Sequence, residues 1–182
     1  ASGTIRLTLP EDFSTAIMPA IYESFAKSYP HIRIEVIVSN AFLDFTEFGI
    51  DLALRVGKLQ DSALIQKKIA DIKLIGVAST DYLKSSPILK KKEDLEHHRI
   101  GQMITANGQP LFETIYNDYK SYYATSSFLA IKEMVVSSQV VSILPSFICR
   151  KEMEDSLVEE VLPEHRPPAR SLYLLSRAQK FI

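Results

Sequence analysis

The chain has 182 residues, 46% of them hydrophobic and 24% charged, with a net charge of -1; such a composition fits one folded domain or two small lobes and does not suggest disorder. Its basic residues are dispersed, which argues against a nucleic-acid-binding surface within this chain, and the three lysines at 90–92, followed by Glu93 and Asp94, read as a solvated helix start. The single cysteine, Cys149, excludes an internal disulfide and fits a reducing compartment, no apolar run approaches the roughly 20 residues that cross a membrane, and the first residues form no signal peptide.

Residues 3–57 read as a β-α-β-α-β unit. The runs at 5–9, 32–38 and 51–56 alternate or are nearly continuously apolar, as strands covered by helices are. Between the first two, Ile17, Met18, Ile21, Tyr22 and Phe25 recur at spacings of three and four, which predicts a helix with one apolar face. Ser14 or Thr15 can cap it, Tyr29-Pro30 ends it, and Pro19 distorts its start. A shorter helix is expected after Asn40, with Phe42, Phe45 and Phe48 on one face and Gly49 leaving it in a left-handed conformation. Parallel strands joined in this way place a ligand cleft at their carboxyl ends.

Beyond a polar loop at 58–63 and the segment 64–70, an apolar strand at 72–78 runs into Ser79-Thr80-Asp81, a helix-start signal. Helices at 81–85 and 93–97, a strand at 99–103 and a turn at Asn107-Gly108 follow. The segments 111–116 and 119–124 read as a pair of strands. Ser126 and Ser127 precede a helix whose Phe128, Ile131, Met134 and Val135 share a face. A buried strand at 139–145, a helix at 147–154, a strand at 157–162, an exposed connector and a last strand at 171–176 complete the chain, with no internal repeat. This second set of strands and helices predicts two α/β lobes with the cleft between them.

Catalytic signatures are missing. The six glycines are not spaced as a phosphate-cradling loop. His97 and His98 are adjacent, so their side chains diverge and are expected to end a helix rather than share a metal. Cys149 has Arg150 beside it but no signalled partner base, and is expected to be buried and inert. No metal, cofactor or catalytic residue is expected. Ligand-like signals are stronger. Ser14 and Thr15 follow the first strand and Ser39 and Asn40 the second, and helix N-termini at both places would attract a carboxylate; equally, these residues can be ordinary caps. Arg55, at the end of the third strand, suits a carboxylate ligand or an ion pair with Asp44, Asp51 or Asp61. Ile17 and Ile21, or Leu129 and Met134, can serve association or the core.

The blocks GTIRLTLPEDFS, MPAIYESFAKSYPHIRIEV, GIDLALRVGKLQDSALIQKKIA, LIGVASTDYL, DLEHHRI, VVSILPSF and LVEEVLP resemble, in order and spacing and over nearly the whole chain, the effector-binding domain of LysR-type transcriptional regulators. The resemblance implies a type 2 periplasmic-binding-protein-like fold: two Rossmann-like α/β lobes, 1–74 plus 173–182 and 75–172, joined by two crossover strands. It implies a small effector in the interlobe cleft, a metabolite for which a carboxylate is one candidate group, and no enzymatic activity. Pro10, Ser14, Thr15, Ser39, Asn40, Arg55 and Gly57 would face it from the first lobe, and Thr105, Asn107, Ser126 and Ser127 from the second. It further implies a cytoplasmic homodimer in which Ile17, Ile21 and Phe25 pack on Phe128, Leu129, Ile131 and Val135 of a partner. The full-length protein would be a homotetramer that touches DNA through a winged helix-turn-helix domain absent from this chain. The alternative on the same fold is an extracytoplasmic solute-binding protein of a transporter, and an enzyme is a third. Two departures stand out. An Ala-Gly-x-Gly block common in the family is replaced around Ser138-Gln139-Val140, and the helix that closes the first lobe in relatives is missing after Phe181-Ile182.

Overall fold

The computed structural model describes residues 2–57 and 63–177. The chain divides into two compact units, Ala1–Ile72 with Arg170–Ile182, and Lys73–Ala169. The first unit opens with β1 (Gly3–Leu9), followed by α1 (Glu11–Ala16), α2 (Met18–Ser28), β2 (Ile32–Val38), β3 (Leu52–Val56) and β4 (Ile65–Ile72). One helix capped by Ser14 or Thr15 is expected here; two helices meeting at Ile17 are found. Pro19 has no N–H for the Thr15 carbonyl and its ring crowds that group, so the helix stops and restarts. Pro10 precedes α1 without a side-chain cap, and Thr15 lies inside the helix with its hydroxyl donating to the Glu11 carbonyl at 2.8 Å.

The helix expected after Asn40 does not form. The Ser39 hydroxyl accepts from the Ala41 N–H at 3.1 Å, and Asp44 Oδ1 accepts from the N–H groups of Thr46 and Glu47 at 2.8 and 2.7 Å. Side-chain acceptors of this kind offer the backbone an alternative to helical bonding. What results is a tight turn at 45–49 that Gly49 leaves at φ 61°, in the left-handed region as expected. Of the three phenylalanines only Phe45 is buried, whereas Phe42 is 56% exposed and Phe48 39%.

The second unit runs β5 (Leu74–Ser79), α3 (Thr80–Ser85), a 3-10 turn Lys92–His97, β6 (Ile100–Met103), a 3-10 turn Ile115–Asp118, β7 (Ser121–Thr125), α4 (Phe128–Val136), β8 (Val141–Pro145), α5 (Arg150–Glu154) and β9 (Val158–Val161), after which β10 (Arg170–Ser176) returns to the first unit. Ser79 and Ser127 cap α3 and α4, accepting from the N–H groups of Tyr82 and Ala130. The strand expected at 111–116 is replaced by the second 3-10 turn. Thr114 accepts from the Tyr116 N–H and the Asn117 amide donates to the Phe112 carbonyl at 2.7 Å, which fastens the segment as a loop and buries Tyr116.

The first sheet has the order β2-β1-β3-β10-β4 and the second β7-β6-β8-β5-β9. In each, three neighbouring strands are parallel, and the fourth is antiparallel to both of its neighbours. The two units therefore repeat one topology although the sequence shows no repeat. Phe45, Ile50, Ala53 and Leu175 form a core cluster in the first unit. The second unit has two, on Leu74, Tyr82, Leu95, Tyr116 and Val161, and on Ile75, Met103, Ile131, Val135 and Leu144. In the former, Gly76 leaves room for the Tyr116 hydroxyl, which any β-carbon there would displace.

Candidate functional site

Because β1, β2 and β3 are parallel, their carboxyl ends gather at one edge of the first sheet, and the Ser39 N–H donates to the Leu9 carbonyl at 3.0 Å across that edge. Pro10, Ser39, Asn40, Arg55 and Gly57 all sit there. Register explains the placement of Arg55: Thr8 lies opposite Ala53, so Arg55, two residues further on, projects from the same face as Thr8. Its Nη2 donates to Thr8 Oγ1 at 3.0 Å and to the Ala41 carbonyl at 2.9 Å, while Nη1 donates to the Leu54 carbonyl at 2.8 Å. The residue is 7% exposed, its Nε lacks a partner, and burial pulls its pKa down.

Neither ion pair expected with Asp44 or Asp51 forms. Asp44 caps its turn, Asp51 accepts from the Arg6 N–H at 2.8 Å, and Asp61 falls outside the described residues. Among the described residues no carboxylate pairs with Arg55, so a cation with three acceptors and no counter-ion stands behind the loop at 39–44. Of the two helix N-termini expected at this edge only that of the six-residue α1 forms, and the Arg55 guanidinium is buried. Ser14 is half-buried within α1 and Thr15 exposed. Gly57 has φ 90° and donates to the Ser171 carbonyl at 2.9 Å. Asp12, at the start of α1, is 6% exposed, and burial outweighs its backbone hydrogen bonds to push its pKa up to about 6.

In the second unit Thr105, Asn107, Ser126 and Ser127 lie at the carboxyl edge of β6 and β7, where the Ile104 N–H reaches the Thr125 carbonyl at 3.0 Å. Thr105 is occupied by its turn, accepting from Gly108 and donating to Gln109 through the backbone. Asn107 and Ser126 are exposed. A small hollow lined by Gln102, Phe112, Thr114, Tyr116, Asn117 and Ser142 contains none of these residues. Cys149 is 1% exposed, with burial the first cause pushing its thiol up to about 12. His98 is buried with Nδ1 3.2 Å from the Tyr82 hydroxyl, and no group of three His, Cys, Asp or Glu among the described residues could hold a metal.

Of the residues expected to face a partner, Ile21 is 46% exposed and no residue of α2 is buried, whereas Ile131 and Val135 are fully buried against the sheet and are core rather than surface. Three features escaped the sequence reading: the acceptor role of Thr8, the carbonyl of Ala41 and the exposure of Phe42. For Thr8 a signal existed, a polar residue at an inward position of β1.

Two α/β units of identical strand order, each carrying polar loops at its parallel carboxyl edge, define a two-lobed small-molecule-binding domain of the type 2 periplasmic-binding-protein-like class. The family model of the LysR substrate binding domain matches residues 1–182, and the chain belongs to that family. It is 27% identical to the HTH-type transcriptional regulator PtxR of Pseudomonas aeruginosa over the whole chain and 60% of that protein. It superposes on the full-length virulence activator AphB of Vibrio cholerae with a TM-score of 0.80 and 28% identity, covering 97% of this chain and 62% of that one. The regulatory domain of CrgA from Neisseria meningitidis gives 0.82 at 19% identity, covering 98% and 90%, and shows the same fold. These relatives are transcriptional regulators, not enzymes, and the transporter alternative is not favoured. The chain spans about 60% of the length of the curated relatives it matches. Among the described residues no helix is long and apolar enough to cross a membrane.

Proposed function

We propose that this domain senses a small carboxylate-bearing metabolite, bound by the polar loops at the carboxyl edges of its two sheets, and that the occupied state alters DNA binding by the full-length regulator. Membership of the LysR family carries the reading. Arg55 supports the choice of an anion: a buried cation without a counter-ion among the described residues lowers the cost of placing a negative charge nearby. Within this proposal Pro10, Ser14, Thr15, Ser39, Asn40, Arg55 and Gly57 serve from the first lobe, and Thr105, Asn107, Ser126 and Ser127 from the second. The lobes are assigned as 1–74 plus 173–182 and 75–172. DNA contact belongs to a winged helix-turn-helix domain of the full-length protein, a cytoplasmic homotetramer, while the domain itself pairs as a homodimer. An effector can shift only as much population as its affinities for the two conformations differ.

A thermal-shift screen of small carboxylates on this chain tests the proposal, because a ligand at 100 times its Kd stabilises by about 2.7 kcal/mol. Arg55→Ala is expected to weaken the ligand found by roughly 1.5–3 kcal/mol. Since Arg55 also holds Thr8 and Ala41, Arg55→Lys serves as the variant that keeps the charge. Equal affinity in wild type, Arg55→Lys and Arg55→Ala would remove Arg55 from the site.

A further inference from the structure

We propose that two free sheet edges of this chain are complementary, and that β4 of one copy pairs with β9 of a second copy in an antiparallel ladder. The strand orders place β4 and β9 at the ends of their sheets, each bonded to a strand on one side only among the described residues. Such an edge presents a row of unused N–H and C=O groups. Which residues present them follows from the bonds next door. The Ser171 carbonyl accepts from the Gly57 N–H, so Ser171 turns its backbone toward β3, and by alternation so does Tyr173. Their partners Asp71 and Lys68 therefore turn theirs away from β10. In β9 the Leu157 carbonyl accepts from the Thr80 N–H, which directs Leu157 and Glu159 at β5 and leaves Val158 and Glu160 facing outward.

Charge selects the partner. β4 carries Lys67 and Lys68, and β9 carries Glu159 and Glu160. One charge in each strand is already engaged: Lys68 holds Asp71 at 2.8 Å, and Glu160 is held by Arg166. Lys67 and Glu159 are exposed and make no ion pair among the described residues. Two copies of β4 laid together crowd lysines and two of β9 crowd glutamates, whereas β4 on β9 brings opposite charges together. Length agrees with charge. The register shift between Leu172 and Tyr173 leaves Ile69 without a partner on β10, so the regular part of β4 runs from Ile65 to Lys68 and matches the four residues of β9. With Lys68 set opposite Val158, both outward in backbone, Lys67 falls opposite Glu159, Gln66 opposite Glu160, and Ile65, 54% exposed, opposite Val161. The unpaired lysine meets the unpaired glutamate. Different patches of the two copies make this contact, so it links chains head to tail, apart from any pairing through α2.

The test uses this chain carrying Ile21→Glu, which isolates the contact from pairing through α2, at submillimolar concentration and low ionic strength because salt screens exposed charges. Sedimentation is expected to show concentration-dependent association that Lys67→Glu or Glu159→Lys each weakens about fivefold, and that the two substitutions combined in one chain restore. Unchanged urea midpoints confirm that the variants fold, as expected at exposed positions. Disulfides read the register. Under mild oxidation a mixture of Lys67→Cys and Glu159→Cys chains is expected to form a mixed disulfide that neither variant forms with itself, and Cys149, 1% exposed, does not compete. No association, or association that neither charge reversal changes, overturns the inference. A combined variant as weak as the single ones overturns it too, because opposite charges are restored there. Disulfides forming as readily within either variant alone assign the edges to like-with-like pairing and likewise overturn it.

Discussion

At the scale of single residues, Asp12 and two serines carry unusual conformational or electrostatic loads. Asp12 has its pKa pushed up to about 6 from an ordinary 3.8, chiefly by burial. The folded state therefore holds its proton more tightly than the unfolded chain, and stability contributed by the protonated form is lost as pH rises from about 4 through 6. The full linkage is about 3 kcal/mol. Asp12→Asn keeps an acceptor for the Phe13 N–H, so it should stabilise the first unit at pH 7.5 and have little effect at pH 4, measured by urea denaturation at both values. Ser138 and Ser156 have φ of 60° and 57°. Each ends a helix in the same way: Ser138 and Gln139 donate to the carbonyls of Val135 and Met134, and Ser156 and Leu157 to those of Met153 and Glu152. Glycine usually fills this left-handed position. Where the family glycines are missing, Ser138 itself takes the left-handed conformation, and its hydroxyl lies 2.7 Å from Ser79 Oγ. Ser156 is exposed, and Ser156→Gly should raise the stability of the second unit by about 1 kcal/mol, reduced by the added freedom of the unfolded chain and read as a higher denaturation midpoint. A lowered midpoint would show that the serine side chain contributes more than its strain costs.

At the scale of elements, strands and their edges were legible because alternation and continuous apolar runs are local properties. Most of the predicted strands appear within two residues of their expected bounds, and the caps Ser79 and Ser127 were readable from their positions before apolar faces. Apart from the break that Pro19 makes between α1 and α2, the misses at 39–49 and 111–118 share one cause. Between 39 and 49, and again between 111 and 118, helix or strand periodicity is overruled by Ser39, Asp44, Thr114 and Asn117 bonding to nearby backbone. Arg55 was found as a site candidate, but its burial was not legible, since that depends on register between β1, β3 and a loop 14 residues away. The amphipathic pattern of α2 was real, yet the structure leaves Ile21 and Tyr22 at 46% and 52% exposure. This apolar face supports the homodimer proposed above. Ile21→Glu is expected to convert a dimer into a monomer by sedimentation at micromolar concentration while shifting stability by less than about 0.5 kcal/mol, as substitutions at exposed positions do. A monomeric wild type under the same conditions would sink the pairing.

At the scale of the whole molecule, the repeated topology does not imply repeated electrostatics. The first unit buries a carboxyl, Asp12, whose proton the fold favours, and the second buries an imidazole, His98, whose proton burial disfavours. The signs are opposite. For His98 the folded pKa lies below the unfolded 6.5, so stability is present above that value and declines as pH falls through it. For Asp12, stability increases as pH falls from 6 towards 4. Acidification from pH 7.5 to 5 should therefore protect the amides of β1 and β3 and deprotect those of β5, β6 and β8 in hydrogen exchange, after correction for intrinsic rates. His98→Asn, which removes the titrating ring, should abolish the second effect and leave the first; Asp12→Asn should do the reverse. Parallel changes in both units would mean that they unfold as one cooperative block, because separate linkage requires separate opening. The two sheets would then share a single stability despite having separate cores, and an effector stabilising either one would stabilise both.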